Sequence, residues 1–107
     1  MYLHHILDAI QQIEEYVQNL SLEEFENSRL VQDAVIREVG IVGEAARKIS
    51  LPLQQAHPEI PWAKIIGMRN VLIHDYFEVD VKEVWKTIRS DLPVLRDEIS
   101  QDRKSVV

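Results

Sequence analysis

The fold of this chain is decided by residues 28–50, SRLVQDAVIREVGIVGEAARKIS. Apolar residues recur through this stretch at steps of three and four, which is the spacing of an α-helix, and they cover more than one stripe of its surface. The pattern predicts a long helix from about Ser28 to Ser50, with Asn27-Ser28 as its N-terminal cap. Because so broad an apolar surface needs several partners, we expect this helix to be central or to be buried against a second subunit.

Two glycines, Gly40 and Gly43, lie inside this predicted helix. Each costs about 1 kcal/mol relative to alanine in a helix interior. The cost is tolerable where a neighbouring backbone must come close. That neighbour is either another helix of the same chain or the same helix of a second copy, and the residues alone leave both alternatives open.

Amphipathic helices are predicted on both sides of this stretch. Apolar steps indicate a first helix over about Tyr2–Asn19 and a last helix over about Val81–Ser100, with Pro93 causing a kink or a brief break near Ser90–Leu92. A further helix starts near Pro61 and ends near His74.

Capping residues and prolines mark the ends of these helices. Ser21 and Glu24 form a capping-box pair before a short helical turn at Leu22–Phe25, and Asp80 with Glu83 repeats that pattern. Leu51-Pro52 ends the long helix, since proline disfavours helical geometry in the residue before it. The following loop contains His57, which we interpret as a solvated or capping residue.

The predicted fold is all-α, a single domain over residues 1–107. We expect an antiparallel bundle of four main helices plus a short helix, with residues 101–107 as a frayed tail. The chain has no cysteine and no apolar run near the roughly 18 residues of a membrane span, which favours a cytoplasmic location. We predict no cofactor and no metal site, because His4 and His5 lack metal-ligand spacing.

The formal net charge of −6 argues against a broad surface for nucleic acid, which usually requires a basic face. It does not exclude a small local site. An acidic surface also suits a basic protein partner, so the charge slightly favours a protein partner over bulk nucleic acid.

Residues 69–76, RNVLIHDY, place a guanidinium, an imidazole and a phenol close together in sequence. An arginine fork fits phosphate oxygens, and histidine moves protons near neutral pH, so Arg69 and His74 have the parts for RNA cleavage by the substrate's own 2′-hydroxyl. In an unbroken helix these two side chains point about 140° apart. They converge more easily at a helix end or across a dimer interface. The alternative is that these residues are close in sequence by chance. His74 then only complements the helix dipole, and Tyr76 is a core residue.

The spacing of Arg69, His74 and Tyr76 resembles the R-x4-H-x-Y motif of the HEPN superfamily, and its setting resembles the HepT-like toxin branch. Further segments resemble that branch in the same order. They are Asp33–Arg37, Ile41–Ala46, His57–Trp62, Gly67–His74 and Asp91–Pro93, so that the resemblance covers nearly the whole chain.

The resemblance implies a HEPN-like homodimer in which both subunits contribute arginine and histidine to one composite cleft. It implies the toxin of a type VII-like toxin–antitoxin pair, an endoribonuclease that needs no metal. Arg69 would stabilise the scissile phosphate and His74 would transfer protons, with Asn70 as a supporting residue of the motif. Glu44, on the long helix, is a candidate acidic partner that supports Arg69 or His74, and the alternative is that it is only a charge at the helix edge. The implied partner is an MNT-type nucleotidyltransferase antitoxin, which adenylylates Tyr76 and thereby brings negative charge to the RNA entrance.

Three functional hypotheses therefore stand. The first is this ribonuclease toxin, with RNA as substrate. The second is a non-catalytic helical dimer that binds a nucleotidyltransferase and presents Tyr76 to it, which the acidic net charge favours. The third is a purely structural bundle in which Arg69 and His74 close a helix end.

Overall fold

The computed structural model of the chain describes residues 2–74 and 80–105, with side chains described for residues 3–68 and 80–101. Helices joined by short turns make up these residues, and no strand occurs among them, so the predicted all-α fold is confirmed for this part of the chain. The helices are α1 (Tyr2–Tyr16), α2 (Leu22–Glu26), α3 (Arg29–Arg47), α4 (Leu51–Gln55), α5 (Trp62–His74), α6 (Val81–Lys86) and α7 (Leu92–Ser105), with a π-helical segment, Thr87–Asp91, between the last two.

Helix α3 is the central element, as its apolar pattern predicts. It packs against both α1 and α5, and its inner face buries Val35, Val39 and Val42. The predicted cap is also present, because the Ser28 hydroxyl accepts a hydrogen bond from the backbone N–H of Val31 at 3.2 Å. The helix that carries the motif, α5, is therefore held against a helix with a buried inner face.

The short helix α2 begins with the predicted capping box. The Ser21 hydroxyl accepts from the Glu24 N–H at 3.1 Å, and the Glu24 carboxylate accepts from the Ser21 N–H at 3.0 Å. Phe25 is fully buried, and its ring centroid lies 5.1 Å from that of Trp85. This aromatic pair fixes α2 against the start of the C-terminal helices.

Helix α1 is shorter than predicted, because it ends at Tyr16 instead of Asn19. Asn19 has a φ of 64°, in the left-handed region that asparagine tolerates better than most residues. The Leu20 N–H then bonds back to the Val17 carbonyl at 3.0 Å. Val17 follows the last residue of the helix and is still buried, so the apolar stripe continues past the helix end.

Residues 51–55 correct the prediction of a loop after Leu51-Pro52, because they form the short helix α4. The Ser50 hydroxyl caps this helix by accepting from the Leu53 N–H at 3.4 Å. Pro52 lies in its first turn, where the missing N–H would have had no helical partner. The proline therefore starts a short helix that was not predicted.

The C-terminal helix contains the irregularity that Pro93 predicts, but in a π-helical form. The Leu92 N–H donates to the carbonyl of Thr87, five residues back, immediately before the proline that has no N–H to continue an α-helix. The helix then continues to Ser105, beyond the predicted end at Ser100. Among the described residues, no helix combines the length and the apolar character needed to cross a membrane.

Candidate functional site

Helix α5 carries the Arg69–His74 part of the motif on its backbone. The two residues are five positions apart, which in an α-helix corresponds to a rise of about 7.5 Å and a rotation of about 140°. A cleft that uses both must therefore gather them from different faces of one helix or from two copies of it. The side chains of Arg69, Asn70 and His74, and all of Tyr76, lie outside the described parts, so their convergence stays a prediction.

The segment after His74 was expected to end the helix. Residues 75–79 lie outside the described part of the chain, and the description resumes at Asp80. The Asp80 carboxylate accepts from the Lys82 N–H at 3.0 Å and from the Glu83 N–H at 3.4 Å, which confirms Asp80 as the cap of α6. The motif is thus followed, within a few residues, by a fixed helix start.

Glu44, the predicted acidic support, lies on α3, the helix that packs against α5. One of its carboxylate oxygens is 3.0 Å from Arg47 and 3.5 Å from Lys48, and its side chain is 31% exposed. These contacts fit the alternative interpretation of Glu44 as a charge at a helix edge.

The two alternatives for the glycines of α3 can now be weighed at Gly40. A Cβ added there would meet no described atom within 4 Å, so close packing against the described residues does not explain the glycine. Gly43, in contrast, is buried. The open space at Gly40 is compatible with the approach of a second copy, which stays a prediction.

The outer surface of α3 carries apolar side chains. Leu30 is 82% exposed and Ile41 is 37% exposed, and residues eleven positions apart share one face of a helix. Ile41 also lines a shallow groove of about 240 Å³ between α1 and α3, together with Ala9 and Glu38. Part of the broad apolar surface predicted for this helix is therefore uncovered in the single chain.

His57 corrects a further expectation, because it is not a solvated loop residue. Its side chain is only 13% exposed, and its Nδ1 lies 3.0 Å from Glu98 Oε2 on α7 and 3.4 Å from Glu59 Oε1. The indole N–H of Trp62 donates to the His57 carbonyl at 3.1 Å and fixes the backbone of this segment. The spacing His57-x-Glu59 was visible in the sequence, but Glu98 is too distant along the chain for any local pattern to reveal.

The carboxyl group of Glu59 is stabilised in its charged form. A hydrogen bond with its own backbone and then one with Glu98 lower the pKa of Glu59; burial acts in the opposite direction, and His57 makes smaller contributions that also lower this pKa. Glu59 is thus a carboxylate at neutral pH. The cluster of His57, Glu59 and Glu98 combines an imidazole with acidic oxygens just before helix α5.

Comparison with known proteins adds information that the geometry of one chain does not contain. Residues 6–101 match the family model described as HepT-like, ribonuclease HepT-like. A probable ribonuclease HepT of Thermococcus cleftensis is 43% identical over 103 residues, which cover 96% of this chain and 94% of that protein.

Two proteins of Methanocaldococcus jannaschii are also similar. One, named as a candidate RNase, is 35% identical over 98 residues, covering 92% of this chain and 90% of its own length. The other, named as a gamma-glutamylcyclotransferase and candidate RNase, is 39% identical over 99 residues, or 92% of this chain but only 45% of that protein. No solved structure matches significantly.

Proposed function

Because the chain belongs to the HepT-like ribonuclease family, we propose that it is a metal-independent endoribonuclease whose active site contains Arg69 and His74. The observation that carries the proposal is the extent of the family match. It runs from residue 6 to residue 101 and includes the whole of Arg69–Tyr76. The functional residues therefore lie within the matched region instead of in an added segment.

The chemistry follows from the two side chains. The 2′-oxygen of the RNA attacks the adjacent phosphorus, the bond from phosphorus to the 5′-oxygen breaks, and the products carry a 2′,3′-cyclic phosphate and a 5′-hydroxyl. His74 takes the proton of the 2′-hydroxyl or gives a proton to the departing 5′-oxygen. Arg69 binds the phosphoryl oxygens as their charge increases. The nucleophile belongs to the substrate, so the protein does not need to supply one.

The active unit in this proposal is a homodimer with a composite cleft. The dispersal of Arg69 and His74 around one helix, the open space beside Gly40 and the exposure of Leu30 and Ile41 all support a second copy. Asn70 would orient the His74 ring or a phosphate oxygen. Glu44 would hold Arg69 or His74 from helix α3.

The ribonuclease would act in the cytoplasm as the toxin of a type VII-like toxin–antitoxin pair. Its partner would be an MNT-type nucleotidyltransferase that transfers AMP from ATP to the Tyr76 phenol oxygen, with pyrophosphate leaving. The added phosphate and adenosine would block the cleft by charge repulsion and by bulk. In this proposal the partner does not need to remain bound to inhibit cleavage.

Purified protein is expected to cut single-stranded RNA in the presence of EDTA and to leave 2′,3′-cyclic phosphate and 5′-hydroxyl ends. The measurement is gel analysis of a labelled oligonucleotide, followed by enzymatic identification of the termini. The matched control is the same oligonucleotide with deoxyribose at the cut position, which must stay intact there because it has no nucleophile. Cleavage of that control, or loss of cleavage in EDTA, would contradict the proposal.

Incubation with ATP and the partner nucleotidyltransferase is expected to add AMP at Tyr76 and to suppress cleavage. Intact-mass and peptide mass spectrometry locate the modification. Tyr2 and Tyr16 are internal controls in the same chain, and Tyr76→Phe should stay unmodified and active in the presence of the partner. Modification of Tyr16 in place of Tyr76 would argue against the assigned acceptor.

A binding module that presents Tyr76 without cutting RNA is the second candidate, and the net charge of −6 favours it. The two assays separate the candidates. Adenylylation at Tyr76 together with no ribonuclease activity in the unmodified dimer would support the binding module.

A further inference from the structure

We propose that His57, Glu59 and Glu98 form a binding site for a divalent transition-metal ion of the Zn²⁺ type. The site lies between the segment that leads into α5 and the helix α7. The role of the ion would be structural, because it would join two parts of the fold. It is therefore separate from the RNA chemistry proposed above. No step of the cleavage reaction uses it.

The distances within the cluster suit a shared ion. His57 Nδ1 is 3.0 Å from Glu98 Oε2 and 3.4 Å from Glu59 Oε1, and one donor atom of each side chain lies within 4.8 Å of the others. Two ligands of a tetrahedral Zn²⁺ ion with bonds of about 2.0–2.1 Å lie about 3.3 Å apart. Two of the three separations are therefore already close to those of a metal site.

The cluster is also held in place by its surroundings. The His57 carbonyl accepts hydrogen bonds from the Trp62 indole at 3.1 Å and from the Ile60 N–H at 3.2 Å. Glu98 projects from the part of α7 that buries Leu95 and Ile99 in the core. Two of the three ligands thus stand on fixed backbone, which reduces the entropy lost on binding an ion.

The charges favour a cation. Two carboxylates face one imidazole, and among the described residues no lysine or arginine forms an ion pair with either Glu59 or Glu98. A protonated imidazole balances only one negative charge, whereas a divalent ion balances both.

The donor set selects the kind of ion. An imidazole nitrogen with carboxylate oxygens suits Zn²⁺ and related transition metals, whereas Mg²⁺ and Ca²⁺ prefer oxygen ligands alone. Three protein ligands leave room for water, unlike the four ligands of a closed structural site. We therefore expect an exchangeable ion that stabilises the fold.

The test is calorimetric titration of Zn²⁺ into tag-free protein that has been stripped with a chelator, in a buffer that does not bind metals. We expect one ion per chain and, at saturation, a rise in the midpoint of thermal unfolding on the order of 5 °C or more. Mg²⁺ at the same concentration should have no effect. Both measurements are made without RNA, so their outcome is independent of whether the chain is a ribonuclease.

Glu59→Gln is the main test variant, because its 45% exposed side chain can be changed without disturbing the core. It should weaken Zn²⁺ binding at least tenfold, and His57→Ala should weaken it further. His4→Ala is the matched control, since His4 Nε2 lies 3.3 Å from Asp8 Oδ2 on the surface but has no third ligand among the described residues. The proposal is overturned if wild-type protein binds no stoichiometric Zn²⁺, or if Glu59→Gln binds as tightly as wild type.

Discussion

Replacing His74 with alanine is expected to lower the rate of RNA cleavage by about 10²–10⁴-fold, which is the usual contribution of a positioned general acid or base. The imidazole is assigned the proton transfers, and alanine can make none of them. The measurement is single-turnover cleavage with enzyme in excess, which separates the chemical step from RNA binding. Activity within a few-fold of wild type would remove His74 from the mechanism.

The loss must come from chemistry and not from unfolding. His74 is the last described residue of α5, where a protonated histidine contributes at most about 1–2 kcal/mol through the helix dipole. Circular dichroism and thermal unfolding should therefore show a folded variant. His4→Ala is the matched control, because it removes an exposed helical histidine and its contact with Asp8 without touching the motif. It should cleave at the wild-type rate.

Features that depend on neighbouring residues were predictable from the sequence. The capping box of Ser21 and Glu24 and the cap at Ser28 each involve residues three positions apart, so the chain itself contains both partners. The central position of α3 followed from the breadth of its apolar surface. Pro93 correctly indicated an irregular helix, because a missing N–H has its effect locally.

Features that depend on distant parts of the chain were not predictable. The sequence could not indicate that His57 is buried beside Glu98, because the contact depends on how α7 crosses the segment before α5. A similar long-range pair joins Lys64 Nζ to Asp91 Oδ2 at 2.7 Å. Asp91-Leu92-Pro93 resembled the family as a sequence segment, and the structure gives it a role, since Asp91 binds α5 and Leu92 is buried.

These two pairs have a consequence for the motif helix. His57–Glu98 fixes the segment before α5, and Lys64–Asp91 fixes the first turns of α5, both against the C-terminal helix. With α3 on another side, the N-terminal half of α5 is held by contacts within one chain. Arg69 and His74 lie in its other half. The proposed dimer would place the second copy beside this half of α5.

Mixing Arg69→Ala protein with His74→Ala protein is expected to restore cleavage to about a quarter of the wild-type rate, although each variant alone is inactive. In a twofold-symmetric dimer with the proposed composite cleft, the cleft contains two arginine–histidine pairs, and each pair joins the arginine of one subunit to the histidine of the other. A mixed dimer then keeps one complete pair, while the other pair lacks both residues. Random exchange makes about half of the dimers mixed. Each mixed dimer has about half of the wild-type activity, so the mixture reaches about a quarter of the wild-type rate.

The experiment requires subunit exchange, achieved by co-expression or by joint refolding, and the dimer fraction is checked by sedimentation. The control mixes Arg69→Ala with the double variant Arg69→Ala/His74→Ala. Exchange occurs there too, but no dimer regains an arginine, so cleavage should stay at the level of the single variant. A site built within one chain predicts no rescue in either mixture, because neither subunit then holds both residues. Rescue in the first mixture alone therefore requires that Arg69 of one copy works with His74 of the other, as their 140° separation on an ideal helix suggests.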